Sequence, residues 1–449
     1  MAYSCGSCGY RSIKWLGRCP SCGEWDSFAA QEANTKAEKD SASSWIGETL
    51  CPINEIDLGE VKRLKSGIGE IDRILGGGLI PGSVILFGGE PGIGKSTLLL
   101  QLAQSVAREN GNVLYISGEE SAAQIKLRAD RLGVEDKHLY VLSEQSLSRI
   151  IASIKQVDPC VLIVDSIQAT VSDGTLGEAG SVRQLRETSA RLTRITKSRK
   201  MTTFLVGHIT KEGTFAGPKT VEHLVDVAIY LEGHRGEDTR ILRSVKNRFG
   251  RTNEVAVFQM RTDGLKEITN PSRFFLEEQQ REPGAGTVIV PILEGTRPIL
   301  VELQALVSPT GGYRAPQRRS SGLDYNRVAV LLAVIERRLG IHTSDADVYL
   351  SIAGGLETRE RATDLGIVAA VVSSLRNRPV TGRTVIVGEV GLSGELRRVK
   401  NLRERITEAE KLGYKRVIVP AVPKPPTRKR IDVVPTQTVE QAMDTLMLR

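Results

Sequence analysis

Val84-Ile85-Leu86-Phe87-Gly88-Gly89-Glu90-Pro91-Gly92-Ile93-Gly94-Lys95-Ser96-Thr97 is the stretch on which the fold turns. An apolar run leads into a glycine-rich turn, and Ser96–Glu109 then repeats apolar residues at helical spacing. Residues 89–96 satisfy the phosphate-binding loop pattern in full, after a strand and before a helix. Gly89, Gly92 and Gly94 let successive N–H groups point into one nest for the β-phosphate, with Glu90, Pro91 and Ile93 completing the turn. The helix N-terminus adds its positive end, Lys95 reaches the β- and γ-phosphates, and the Ser96 hydroxyl ligates Mg2+, with Thr97 flanking it. No Asn-Lys-x-Asp motif follows, which argues against guanine nucleotides and leaves ATP with Mg2+. A small-molecule kinase is not excluded by this loop alone.

Working outward, short β-branched runs alternate with helical stretches from residue 55 to 270, the mark of parallel strands with crossover helices. Central strands are expected at Val84–Phe87, Val113–Ser117, Leu139–Leu142, Val161–Val164 and Thr203–Val206. Helices are expected at Ser96–Glu109, Ala122–Leu132, Leu147–Gln156 and Val182–Lys197, and later strands at Val225–Leu231, Thr239–Val245 and Val255–Gln259. Val161-Leu162-Ile163-Val164-Asp165 delivers a carboxylate at a strand end, where a Mg2+ or water ligand is needed. Glu119, just beyond Val113–Ser117, has the type and place to orient the attacking water. The competing reading sets Glu119 and Glu120 in the first turn of the next helix, favouring its dipole.

Toward the N-terminus, Cys5-x2-Cys8 and Cys19-x2-Cys22 form two knuckles of soft thiolates. Four thiolates close a tetrahedral shell, so a structural Zn2+ fits best, although a rubredoxin-type iron centre shares the ligand set. Trp15 and Trp25 are expected to pack this small module. Residues 1–28 are thus a zinc finger, and 29–54, polar with little to bury, a linker. The chain has 449 residues, 40% hydrophobic and 25% charged, enough for two or three globular units. A formal charge of +8 suits a polyanionic partner without demanding one. No apolar run approaches a bilayer span, so no membrane partner is expected and a cytoplasmic location is, where thiols stay reduced.

Ser66-Gly67-Ile68 through Gly76-Gly77-Gly78-Leu79-Ile80-Pro81-Gly82 closely resembles the lead into the phosphate loop of RecA-like and KaiC-like ATPases. Lys246-Asn247-Arg248-Phe249-Gly250 is similar to the pentapeptide signature of the bacterial RadA (Sms) recombination and repair family, and the four cysteines complete the likeness. The resemblance implies an α/β fold: a RecA-like P-loop ATPase core, an N-terminal C4 zinc finger and a C-terminal Lon-protease-like α+β domain. It implies that Lys246 and Arg248 reach a neighbouring subunit's γ-phosphate, and that Glu119, Lys95 and Asp165 serve hydrolysis. It also implies single-stranded and branched DNA as partners, a RecA-type recombinase, and a hexameric ring. DNA-facing loops are expected at Ser172–Gly180 and from Gly207 through Lys219, with Lys211 and Lys219 meeting phosphates. His208 either senses nucleotide state or is a structural hydrogen-bonder.

A polar, proline-bearing stretch at 271–284 reads as a second linker, and residues 285–449 resemble the proteolytic domain of Lon. Helices are expected at Asn326–Leu339, Asp364–Leu375 and Asn401–Leu412, with Asn401 able to cap the last, and strands at Val348–Ala353, Thr384–Val387 and Arg416–Val419. The nucleophile position falls on Asp364 and the lysine position on Arg403. A carboxylate is a poor peptide nucleophile and a guanidinium no base, so proteolysis is not expected. Arg314, Arg318, Arg319 and Arg327, with Arg397, Arg398 and Lys400, are candidate phosphate contacts. The function expected is a DNA-dependent ATPase driving branch migration in DNA repair, its rival an ATP-switched scaffold recruiting repair partners.

Overall fold

A computed structural model describes residues 2–5, 11–12, 14–15, 17–26, 28–31, 52, 54, 62–208, 220–233, 238–276, 284–310, 314–380, 383–421 and 430–446. The chain divides into two compact units, Met1–Glu60 and Val61–Arg449.

In the first unit β1 (Ala2–Cys5) pairs antiparallel with β2 (Arg11–Ser12) and β3 (Phe28–Gln31), Cys5 opposite Phe28. The sheet therefore runs to Gln31, past the expected boundary at 28. Trp15 and Trp25 are 52% and 70% exposed, contrary to the expected packing, and Arg18 lies 5.6 Å from the Trp25 ring centre. Among the described residues of this unit the buried side chains are Cys5 and Cys19, so these thiols take the place a hydrophobic core would hold.

The second unit opens with α1 (Gly69–Ile74), then β4 (Val84–Gly89), α2 (Lys95–Asn110), β5 (Val113–Ser117), α3 (Ala122–Arg131), β6 (Leu139–Ser143) and α4 (Leu147–Val157). There follow β7 (Val161–Asp165), α5 (Val182–Arg199), β8 (Thr202–His208), α6 (Thr220–Leu224), β9 (Val227–Glu232), β10 (Thr239–Asn247), β11 (Val255–Arg261) and β12 (Gly264–Ile268). They build one nine-stranded sheet, ordered β12-β11-β10-β9-β4-β8-β7-β5-β6. From β9 through β6 all neighbours are parallel, which is why β4, β5 and β8 read as continuous apolar runs. The pairs β9–β10, β10–β11 and β11–β12 are antiparallel. Val225 ends α6 rather than starting a strand. Leu98, Leu99, Leu100 and Leu102 of α2 are fully buried on this sheet, each contributing on the order of 1.5–3 kcal/mol.

Residues 271–276 are no linker. Pro271 opens α7 (Pro271–Leu276), Asn270 Oδ1 accepts from the Arg273 N–H at 3.0 Å, and Phe275 joins the next core. Beyond it lie β13 (Thr287–Glu294), β14 (Arg297–Pro309), β15 (Arg318–Ser321), α8 (Tyr325–Val334), β16 (Ala346–Ile352), α9 (Asp364–Arg376) and β17 (Thr384–Ile386). The two-stranded β18 (Glu389–Val390) and β19 (Leu396–Arg397), α10 (Leu402–Lys411), β20 (Arg416–Pro420), β21 (Asp432–Thr436) and α11 (Val439–Thr445) complete the chain. A mixed sheet of order β15-β16-β14-β13-β17-β20-β21 carries the buried α9. Helix α8 passes into a π-helical turn, Ile335–Leu339, and stops at Gly340 with φ 66°. Asn401 holds the N-cap position of α10 in a left-handed conformation but makes no side-chain cap.

The tip of the β13–β14 hairpin docks on the ATPase-type sheet. Thr296 N–H donates to Asn253 O at 3.1 Å and its hydroxyl to Glu254 at 2.8 Å. Gly295 sits at φ 62°, and a Cβ there would lie 1.8 Å from Asn253 O. Arg297 pairs with Glu70 at 2.8 Å, and Arg73 bridges Glu70 and Glu254 at 2.9 and 2.7 Å.

Candidate functional site

Parallel strands end together, so residues just past β4, β5, β7 and β8 converge at one sheet edge. Gly92 and Gly94 take φ 79° and 116°, conformations glycine alone adopts without strain, and a Cβ on Gly94 would lie 2.8 Å from Met260 Cε. The turn opens a cleft of about 340 Å³ lined by Pro91, Gly92, Gly94, Lys95, Ser96, Thr97, Glu119, Asp165 and His208 among others.

Lys95 Nζ donates to the carbonyls of Gly89 and Glu90, both at 2.9 Å, and lies 3.2 Å from His208 Nδ1. Burial pulls its ammonium below the ordinary value, against the charges of Asp165 and Glu119. The Tyr115 hydroxyl donates to Asp165 Oδ2 at 2.6 Å, which fixes the strand-end carboxylate beside the loop. Burial, then the Asp165 charge, drives the Tyr115 phenol far above its usual range, so it remains a donor.

Glu119 accepts from the Ser166 hydroxyl and lies 3.4 Å from His208 Nε2. It precedes α3 altogether: Ser121 is the N-cap, in a reciprocal box with Gln124. The alternative that places Glu119 and Glu120 in a first helical turn is thereby removed. Glu120 instead forks onto Arg128, at 2.7 and 2.5 Å, fixing the turn that presents Glu119.

Lys246 and Arg248 lie at the opposite edge. Asn247 pairs with Val227, and Val227 with Ile85, four residues back from Gly89, or about 13 Å along a strand. Neither side chain lines the cleft of its own chain. Lys246 Nζ donates to the carbonyls of Glu222 and Val225, both at 2.7 Å, and burial together with Arg248 pulls it below its ordinary value. Arg248 is 54% exposed and pairs with Asp226 at 3.2 Å.

Of the expected DNA-facing groups, Lys211 and Lys219 lie outside the described residues. Ser172–Gly180 is anchored by Gln184, which accepts from Ser172 N–H and donates to Thr175 and Gly177 carbonyls. Arg318 and Arg319 sit on β15, an edge strand, while Arg314 is tied to Asp347. Arg327 is not the surface cation expected: it forks onto Asp364 and donates to Val390 O.

That pair borders a second cleft of about 350 Å³. Asp364 is 1% exposed and also accepts from Val390 N–H at 3.1 Å. Burial lifts the Asp364 carboxyl while its hydrogen bonds raise Arg327, and with a permanent guanidinium in bidentate range the carboxylate form prevails. Arg403 points outward, whereas Arg405, two residues on, is fully buried against Glu360 and the Pro291 carbonyl.

In the first unit the thiols of Cys5, Cys19 and Cys22 lie within 4.8 Å of one another, Cys5 and Cys22 at 3.6 Å. Tetrahedral thiolates about 2.3 Å from zinc stand about 3.8 Å apart, so these donors fit a metal. Cys8 lies outside the described residues.

Tyr115, Ser166, Arg128 and Arg240 were not visible as site residues in the sequence. Tyr115 and Arg240 act through strand register, Ser166 from the turn after β7 and Arg128 from α3, none through a motif.

Three family models match parts of the chain. One described as an AAA domain matches residues 55–214, one described as a rubredoxin metal binding domain residues 3–30, and one described as subunit ChlI of Mg-chelatase residues 330–422. A KaiC-like protein of Pyrococcus horikoshii is 22% identical, with a TM-score of 0.40, over 46% of this chain and 99% of its own. The DNA repair protein RadA of Halalkalibacterium halodurans is 45% identical over 100% of this chain and 98% of its own. That of Bacillus subtilis is 46% identical over 99% and 98%, and that of Listeria monocytogenes 45% over 98% and 97%. With such identity sustained from end to end, the chain belongs to the DNA repair protein RadA family.

Proposed function

We propose that this chain is a DNA-dependent ATPase of cytoplasmic DNA repair that assembles as a ring, a hexamer, and drives branch migration on single-stranded or branched DNA. The observation that carries the reading is the division of the site between the two edges of one sheet. Lys95, Ser96, Asp165 and Glu119 gather at one edge, and Lys246 and Arg248 stand at the other. A basic pair so placed serves a γ-phosphate only across a subunit boundary, which makes turnover depend on assembly.

Within the cleft the loop N–H groups and Lys95 bind the phosphates, and Ser96 with Asp165 would hold Mg2+, which supplies charge neutralisation to the triphosphate. Glu119, steadied by Ser166 and the Glu120–Arg128 fork, orients water in line with the γ-phosphate. Zinc is the metal assigned to the cysteine ribbon, in a structural role. A RecA-type recombinase is the protein partner assigned. Peptidase activity is not assigned, because Asp364 and Arg327 satisfy each other inside the cleft where a Ser–Lys dyad would act.

The test is ATP turnover of the purified chain with and without single-stranded DNA. Stimulation together with remodelling of branched DNA is expected; absence of turnover on DNA defeats the motor reading.

A further inference from the structure

Strand β10 touches its own subunit's phosphate loop at one end and carries Lys246 and Arg248 at the other. At the near end Arg240 Nε donates to the carbonyl of Ile93, inside the glycine turn, at 3.1 Å. Its stem is hemmed in, since a Cβ on Gly233 would lie 2.7 Å from Arg240 Cδ. At the far end the register with β9 slips between Ser244 and Lys246. The bulge leaves Val245 44% exposed and the Ser244 hydroxyl buried without a hydrogen-bond partner among the described residues. Bulges re-aim side chains, and a hydroxyl with no bond to lose resists a local shift less than a bonded one. β10 spans about 20 Å from Arg240 to Lys246, paired with β11 over Thr239–Arg243 and with β9 over Ile241–Asn247, so the two ladders overlap at Ile241–Arg243.

The phosphate loop holds Lys95 on its own backbone, and phosphate binding requires another arrangement. Lys95 now donates to the carbonyls of Gly89 and Glu90, and those bonds must open when it turns to a phosphate. Ile93 lies three residues from Glu90 and two from Lys95, so its carbonyl shares in that rearrangement.

We propose that Arg240 is a positioning residue that links the state of its own phosphate loop, through β10, to the placement of Lys246 and Arg248 in the neighbouring subunit's site. The inference rests on the reading of Lys246 and Arg248 as groups that act across a subunit boundary. A subunit with a filled loop thereby presents its basic pair differently from one with an empty loop, and hydrolysis around a ring acquires an order. The coupling has a physical carrier, a stiff laddered strand with a bulge beside the groups that move.

The experiment uses mixed oligomers of full-length chains. Subunits carrying Glu119→Gln have a silent pocket and an intact basic pair; subunits carrying Arg248→Ala have an intact pocket and a defective pair. Their mixture restores DNA-stimulated turnover at shared boundaries. Adding Arg240→Ala to the Glu119→Gln subunit is expected to lower the restored rate about fivefold or more. Binding of a fluorescent ATP analogue by that subunit is retained, and Arg240→Lys recovers part of the loss. If the parent mixture restores nothing, the cross-boundary reading fails and the inference falls with it. If the parent mixture works and Arg240→Ala changes nothing, this inference alone is overturned. Loss of rate with a lowered melting temperature and no recovery by lysine assigns Arg240 to stability, which also overturns it.

Discussion

Two clefts of nearly equal size, about 340 and 350 Å³, occupy the two lobes of the second unit, and they treat charge in opposite ways. In the ATPase-type lobe Lys95, Ser96, Glu119 and Asp165 face one space, held by weak or exchangeable partners such as backbone carbonyls, a tyrosine and a histidine. In the Lon-like lobe Asp364 is saturated by a guanidinium fork and a backbone N–H, and Arg327 by that carboxylate and a carbonyl. Polar groups kept ready to exchange partners support chemistry, and groups that have consumed one another support the fold.

The contrast breaks first at Lys95. Lys95→Ala is expected to lower ATP turnover about 10²–10³-fold, since it removes a preorganised cation from the developing charge. Near-normal turnover would place the chemistry elsewhere. The second cleft responds in stability instead: Asp364→Ala strands a partly buried guanidinium and is expected to cost about 3 kcal/mol in denaturant titration. Asp364→Ser combined with Arg403→Lys restores the dyad residue types yet is expected to release no peptide from casein, because Arg403 lies on the outer face of α10. Cleavage would show that the site is dormant rather than rebuilt.

Between the clefts, Gly295→Val drives a side chain into Asn253 O at a left-handed position and is expected to cost about 2 kcal/mol. Differential scanning calorimetry checks it, and an unchanged transition would loosen the claim that the hairpin tip is docked. The smallest effect concerns Asp347, held below its ordinary 3.8 mainly by the Gln317 N–H and further by Arg314. A depressed carboxyl contributes stability above its unfolded pKa and loses it as pH falls through the folded value. Asp347→Asn should therefore flatten the acid limb of melting temperature below about pH 4. An unchanged limb would show that neither the Gln317 N–H nor Arg314 stabilises the Asp347 carboxylate.

The parallel strands and the phosphate loop were legible because buried strands leave unbroken apolar runs and because the loop chemistry tolerates few residue types. The edge strand β12, Gly-Leu-Lys-Glu-Ile, was not, since it is short and its burial does not alternate. Helix α7 was hidden beside polar neighbours, although Pro271 after Asn270 was a start signal. Site residues belonging to motifs were readable singly. Those defined by register were not: Tyr115 meets Asp165 only because β5 lies beside β7, and Arg240 meets Ile93 only because β10 returns along β9. Arg327 misled because a basic residue near other basic residues reads as surface until its partner 37 positions away is known.

The hairpin tip has a practical corollary for dissecting this molecule. Val257, from the ATPase-type sheet, is packed inside the apolar cluster of the Lon-like lobe, and Glu70 and Glu254 receive Arg297 and Thr296 from across the seam. A fragment that stops near residue 270 would bare that valine and leave both carboxylates short of a ligand. The halves are expected to melt in one step, and a severed front half to be recovered as precipitate.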